Sequence, residues 1–317
     1  MNAPLVELVR SGFREGVHYG SAVVLNPDGS VRRAIGSPDE PMFPRSSNKP
    51  LQALGMLRAG LELPDNADLA LACASHSGDP GHIARALAIL ERHRLTEHDL
   101  HCPEDLPLGA AERDAYLAEG LKPRRAVMNC SGKHAAMLAT CVQQGWPVDS
   151  YLDPAHPLQQ TISATIAEVV GEPLALESTD GCGAPLAGFS LTGLARAFLR
   201  ISQATDPLLG RIGGAMRTYP HLVAGTDRED TLLMRAVPGL VSKIGAEGVG
   251  ACALPDGGAV ALKISDGNGR ARPPILVAGL RALGVKDSPA LAKLAESPVL
   301  GGGQPVGTLR VIPGLFD

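Results

Sequence analysis

The hexapeptide Arg45-Ser46-Ser47-Asn48-Lys49-Pro50 places a serine three positions before a lysine, where an apolar-periodic helix over about residues 50–58 begins. Residues three apart share a helix face, so the Ser46 hydroxyl and the Lys49 amine can meet. A serine hydroxyl is a weak nucleophile until a base takes its proton. Lysine serves as that base only when burial or a neighbouring positive charge lowers its pKa. Two further loops carry unusual cysteines. Cys130-Ser131-Gly132-Lys133-His134 precedes a helix, and Asp180-Gly181-Cys182-Gly183 is a glycine-punctuated turn. Thiols beside Lys133, His134 and Asp180 suit metal binding or reactivity, unlike Cys73, Cys141 and Cys252, which lie inside apolar runs. Two cysteines are too few for a closed four-ligand zinc site, so a bound metal would need an open position or an unusual ligand.

Two more segments carry chemistry, and one reads as plain surface. Ser75-His76-Ser77-Gly78 follows the apolar run 69–74, where polar groups leave a core element; they build either a site or the N-cap of the next helix. Lys243 stands in a strand-like Lys-Ile-Gly segment, whose glycine lets a substrate backbone approach closely. Arg228 and Asp230 read as a solvated charged loop.

The elements that must position these residues follow from periodicity. Residues 17–25 and 31–35, joined by Asn26-Pro27-Asp28-Gly29, predict a β-hairpin. Helical spacing covers 51–61, 82–94, 133–145, 157–170, 191–203 and 273–283, while 95–121 looks irregular. Residues 232–237, 239–245, 248–253 and 259–264 read as short strands of a meander adjoining the N-terminal hairpin, and Gly301-Gly302-Gly303 as a flexible loop. The expected class is α+β, with one sheet drawn from N- and C-terminal segments and a helical middle. At 317 residues the chain has room for one large domain or two, with a helical subregion over about 50–205.

Composition narrows the function classes. The net charge of −4 comes from 29 basic and 33 acidic residues without a basic stripe, which argues against nucleic acid. Five Phe, four Tyr and one Trp leave few stacking platforms for single strands. No apolar run reaches the roughly 20 residues needed to span a bilayer. The charged N-terminal stretch has no secretory h-region, so the expectation is a cytoplasmic protein, without a membrane partner, whose six cysteines remain thiols.

Ser46-Ser47-Asn48-Lys49 has the S-x-x-K form of penicillin-recognising enzymes, and Lys243-Ile244-Gly245 resembles their Lys-Thr-Gly strand. Read together with Cys73-Ala74-Ser75-His76-Ser77, Asn129 to His134, Thr179 to Cys182 and Val223-Ala224-Gly225, these motifs closely resemble the asparaginase family typified by the inducible rhizobial enzymes. The resemblance implies a serine β-lactamase/glutaminase-like fold, a homodimer, and hydrolysis of L-asparagine to L-aspartate and ammonia. It implies Ser46 as nucleophile and Lys49 as its base, with Ser75 and Lys243 as a second serine-lysine pair. Arg45, His134, Asp180 and Gly225 match substrate positions, and Cys130, Lys133 and Cys182 match a zinc site. Ser47 and Asn48 depart from the smaller residues expected between serine and lysine. The alternatives are an amidase, glutaminase or β-lactam-type hydrolase on the same fold, or an amino-acid-binding protein without catalysis.

Overall fold

Strands buried on both faces read as nearly continuous apolar runs, and Val241–Gly245, Val249–Ala253 and Ala259–Ile264 have that character. A computed structural model describes residues 2–316 and divides the chain into two units. The first comprises residues up to Ser47, Phe189–Gln203 and the chain from Leu232 onward; the second comprises Asn48–Gly188 and Ala204–Thr231.

In the first unit these three strands form the expected meander, and Ala259–Ile264 pairs antiparallel with Phe13–Leu25, placing Ala22 opposite Leu262. Phe13–Leu25 also holds Val31–Ile35 and Ala3–Arg10. The hairpin Ser297–Gly301/Gln304–Val311 completes the eight-stranded sheet, with Val311 opposite Val6. N- and C-terminal segments thus share one sheet, as expected. The Gly301-Gly302-Gly303 stretch is the turn of that hairpin and not a free loop. Ala22, Val24, Val260, Leu262 and Ile264 meet Ile275, Leu276 and Leu280 of the helix Arg272–Ala282. The helix Leu191–Gln203 packs on the same central strands, and Ser202 Oγ donates to Ala253 O at 3.3 Å. This double coverage explains the unbroken apolar runs.

The second unit is mainly helical, with Lys49–Arg58, Asn66–Ala72, Pro80–Arg92, Ser131–Gln144 and Pro157–Val170 at its centre. Its core run 69–74 starts in the last turn of the Asn66–Ala72 helix and continues past its C-cap Cys73; the start of that helix is capped by Asp65. Three expectations are corrected. Of residues 232–237, all but Val237 belong to the helix Glu229–Ala236, whose Glu229 and Asp230 stand in its first turn, where negative charge is favoured. Within the stretch read as irregular, Ala110–Ala118 is helical. Asp230 is fully buried and does not sit on a solvated loop.

Candidate active site

The second unit gathers most of the candidate residues around one buried lysine. Lys49 opens the helix Lys49–Arg58 and is buried to 1% exposure. Its ammonium donates to Ala74 O at 2.5 Å, Ser75 Oγ at 3.0 Å and Cys130 Sγ at 3.1 Å. The three donors of a lysine are thereby matched by three acceptors, none of them a carboxylate. Ser75 takes part in this contact, and the cap of the Pro80–Arg92 helix is Asp79, which accepts from His82 N at 3.0 Å. That resolves the two readings of the Ser75 loop, with Ser75 beside the lysine and Asp79 at the cap. Ser75 N in turn donates to Val223 O at 2.9 Å.

Cys130 ends its loop at the start of the helix Ser131–Gln144, which carries Lys133 and His134 inward. The helix can begin there because Gly132 lies hard against Leu71; a Cβ at 132 would stand 2.5 Å from Leu71 Cγ. Lys133 Nζ lies 3.2 Å from Cys182 Sγ. Hydrogen bonding from Cys130 and the charge of Lys133 hold the Cys182 thiol far below its ordinary range, against the effect of burial. Cys130 is pushed the other way, well above the ordinary thiol range, by that same hydrogen bond and by burial. Burial alone would lower Lys133, but Cys182 and Cys130 outweigh it and keep the amine protonated. All six cysteines are buried, and none of them forms a disulfide.

The donor set is therefore two sulfurs and an amine around one spot. Among the described residues no group of three or more His, Cys, Asp or Glu stands together. A cation here must accept the lysine as a ligand in place of a third side chain of those types.

The remaining substrate candidates of this unit border the cluster. His134 is wholly buried, with Nδ1 2.7 Å from Tyr151 Oη. Burial pushes its imidazole below the usual range, opposed by the adjacent Cys182 sulfur. Asp180 starts the turn that carries Cys182: its carboxylate accepts from Gly181 N at 2.9 Å, and its carbonyl from Gly183 N at 2.8 Å. Gly225 has φ of 145°, and a Cβ there would stand 2.4 Å from Ser77 Oγ. Only glycine fits such backbone without strain.

The first unit holds Arg45, Ser46 and Lys243. Arg45–Asn48 is a single 3₁₀ turn, with Asn48 as the first residue of the other unit. Arg45 has φ of 52°, uncommon for a residue with a side chain. Its guanidinium lies 3.8 Å from Glu247 Oε1. Ser47 is fully buried and donates its hydroxyl to Pro44 O at 2.6 Å, whereas Ser46 is half-buried. Lys243 is fully buried in Val241–Gly245, opposite Ala251, and donates to Ile244 O at 2.9 Å. The same strand closes on the serine turn, since a Cβ at Gly245 would stand 2.5 Å from Pro44 O and 3.2 Å from Ser47 N.

Sequence reasoning missed three contributors. Tyr151 touches His134, Ser77 supports Gly225, and Asn129 Oδ1 accepts from Cys130 Sγ at 3.1 Å. Asn129 and Ser77 lie inside motifs already noticed; Tyr151 lies in the stretch Asp149-Ser150-Tyr151-Leu152-Asp153, which carries no such signal.

No curated protein sequence matches this chain. Among solved structures, Mglu in its native form is similar at 11% identity and a TM-score of 0.44, covering 83% of this chain. The chain spans 62% of the length of that protein. A β-lactamase from Mycobacterium bovis is similar at 15% identity, TM-score 0.48, covering 87% of this chain and 95% of that one. EstCE1, a hydrolase with promiscuous acyltransferase activity, is similar at 12% identity, TM-score 0.41, covering 92% of each chain. The profile described as L-asparaginase II takes in the serine turn, both cysteine loops and the Lys243 strand in one match over residues 6–311, and the chain belongs to that family of amidohydrolases.

Proposed function

We propose that the protein hydrolyses L-asparagine to L-aspartate and ammonia through a serine acyl-enzyme, with residues 1–317 as a single catalytic domain. The observation that carries this reading is Lys49: a fully buried lysine whose partners are a carbonyl, the Ser75 hydroxyl and a sulfur. A lysine kept only for stability would be expected to face a carboxylate. Ser46 lies three residues before it and is the nucleophile, because the Ser47 hydroxyl is committed to Pro44 O.

In the reaction Ser46 Oγ attacks the side-chain amide carbon while its proton passes to Lys49, which can accept it only in the unprotonated form. The tetrahedral intermediate collapses, the C–N bond breaks, and ammonia leaves with a proton delivered by Lys49 through Ser75. Water then attacks the aspartyl ester, the ester C–O bond breaks, and aspartate and the Ser46 hydroxyl are released. Lys243 belongs with Ser75 to the second serine-lysine pair that the family resemblance implies. Arg45 and Asp180 bind the α-carboxylate and α-amino groups of the substrate. His134 and Gly225 shape its surroundings.

Cys130, Lys133 and Cys182 would hold a zinc ion, since thiolates suit this borderline cation and all three are buried together. When bound, it would supply a structural tie between the start of the 131–144 helix and the 180–183 turn. Among the described residues no helix is long and apolar enough to cross a membrane. A cytoplasmic homodimer is part of the same proposal, resting on the family resemblance. Ammonia release from asparagine and glutamine, measured side by side, tests the reading. Release from neither rejects it, and a preference for glutamine replaces asparagine with its homologue.

A further inference from the structure

Two segments of the second unit run side by side next to Lys49, and a helix start fastens one of them. Ser75, which meets Lys49, donates its backbone N–H to Val223 O at 2.9 Å. Two residues further along each segment, Ser77 meets Gly225. A Cβ on Gly225 would stand 2.7 Å from Ser77 Cβ and closer still to its Oγ, so the hydroxymethyl group of Ser77 fills the space that a side chain at 225 would need. Ser77 is buried to 1% exposure, and its hydroxyl must find its partner within the protein.

That partner is the start of the helix Ala110–Ala118. Its third residue, Glu112, stands in the first turn, where a carboxylate is favoured, and folds back over the N-cap Gly109. Ser77 O accepts from Gly109 N at 2.9 Å, and Ser77 Oγ donates to Glu112 Oε1 at 3.1 Å. A carboxylate has no proton to give, so the hydroxyl hydrogen must point at Glu112. Without that bond the serine side chain can turn among its staggered positions. Gly225, at φ of 145°, has no side chain of its own to limit its backbone, so it depends on what is packed against it.

We infer that Glu112 is a positioning residue for substrate recognition: by holding the Ser77 hydroxyl it keeps Gly225 in the conformation that borders the substrate. The recognition role rests on the substrate reading given above; the link from Glu112 through Ser77 to Gly225 does not. The effect falls on KM more than on kcat, because Gly225 shapes the surroundings of the substrate and takes no part in proton transfer.

The test has two arms. Glu112→Ala and Ser77→Ala should each raise KM for asparagine about tenfold, the loss of one hydrogen bond to a charged group, with kcat within about threefold of wild type. Glu112→Gln, whose amide oxygen can still accept from the hydroxyl, should recover most of that loss. The double alanine variant should be no worse than either single one, since both remove the same bond. An unchanged KM in either alanine variant, a rise of about a hundredfold in the double variant, or a Glu112→Gln as poor as Glu112→Ala overturns the proposal.

The second arm needs no substrate. Arg228 N donates to Gly225 O at 3.2 Å, so exchange of the Arg228 amide hydrogen reports how firmly Gly225 is held. In the substrate-free protein both alanine variants should exchange it about tenfold faster than wild type. An unchanged rate in both overturns the link whatever the enzyme hydrolyses. If the wild type releases ammonia from neither asparagine nor glutamine while the exchange result holds, the link stands and the substrate reading fails.

Discussion

The second unit buries charge in two different ways. Asp68, with no exposed surface, is held by Arg85 at 2.6 Å and by Arg92, so its charge is answered by two guanidinium groups. Lys49 and Lys133 are buried as deeply, yet among the described residues neither is ion-paired with a carboxylate. Their partners are a carbonyl, a hydroxyl and two sulfurs. An ion pair with well-placed arginines fixes a charge and holds helices together. A lysine surrounded by groups that can themselves give or take protons, or bind a metal, is left chemically available. The contrast separates the two regions more sharply than burial does, because both are equally buried.

The largest effect expected from this contrast is on turnover. Lys49→Met should lower kcat by about 10²- to 10⁴-fold, the usual range for removing a general acid-base group. Ser46→Ala should abolish the acyl-enzyme altogether while thermal unfolding stays near the wild-type midpoint. Retention of a tenth of the activity by Ser46→Ala would move the attack to Ser47 or Ser75. Steady-state ammonia release together with a melting curve on each variant provides both readings.

The next effect is on metal content. Protein purified without chelator should contain about one zinc per chain. Cys130→Ser and Cys182→Ser should each lose it, as should Lys133→Met. Because Lys133 is held protonated by the sulfurs in the metal-free protein, binding must expel that proton, so occupancy should fall as pH is lowered. Elemental analysis across the variants decides this, and unchanged zinc in both cysteine mutants removes the site.

The paired region should respond in the opposite sense. Asp68→Asn should cost about 2 kcal/mol of stability, less than a fully buried pair because both arginines are about one-third exposed. Its kcat/KM should remain within about threefold of wild type. A large catalytic loss with little destabilisation would erase the distinction between the two regions.

How much of this was legible before the fold was known depends on the range of the contacts. The helix Lys49–Arg58 and the strands from Val241 to Ile264 were visible because local periodicity and glycine punctuation define them. The strand Ala3–Arg10 was not, since its partner Gln304–Val311 lies at the other end of the chain and its own charges Glu7 and Arg10 mask the pattern. Residues 232–237 misled because an apolar run was read without the acidic first turn that starts their helix. At the site, each loop announced itself by composition, but its partners did not. Lys49 meets Ser75 across 26 residues and Cys130 across 81, and nothing in the spacing of those motifs encodes the contacts.

The smallest effect concerns a charge that belongs to neither pattern fully. Asp79 caps the Pro80–Arg92 helix, and its Oδ2 lies 2.7 Å from Nδ1 of the buried His82. Burial alone would raise the Asp79 pKa, but the hydrogen bond and charge of His82 outweigh it and hold the carboxyl at about 2, against 3.8 for the free group. The sign follows from linkage: a carboxyl depressed on folding adds stability that is fully present above the unfolded value and is lost as pH falls through the folded one. Asp79→Asn should therefore destabilise by about 1 kcal/mol at neutral pH, a figure reduced for the partial exposure of the pair. The difference from wild type should hold steady down to about pH 4 and shrink towards pH 2. Urea unfolding of both proteins at pH 7, 4 and 2.5 measures it. A difference that widens on acidification would mean that Asp79 stabilises the fold through its packing or its protonated form, and would place it with neither the paired nor the reactive charges.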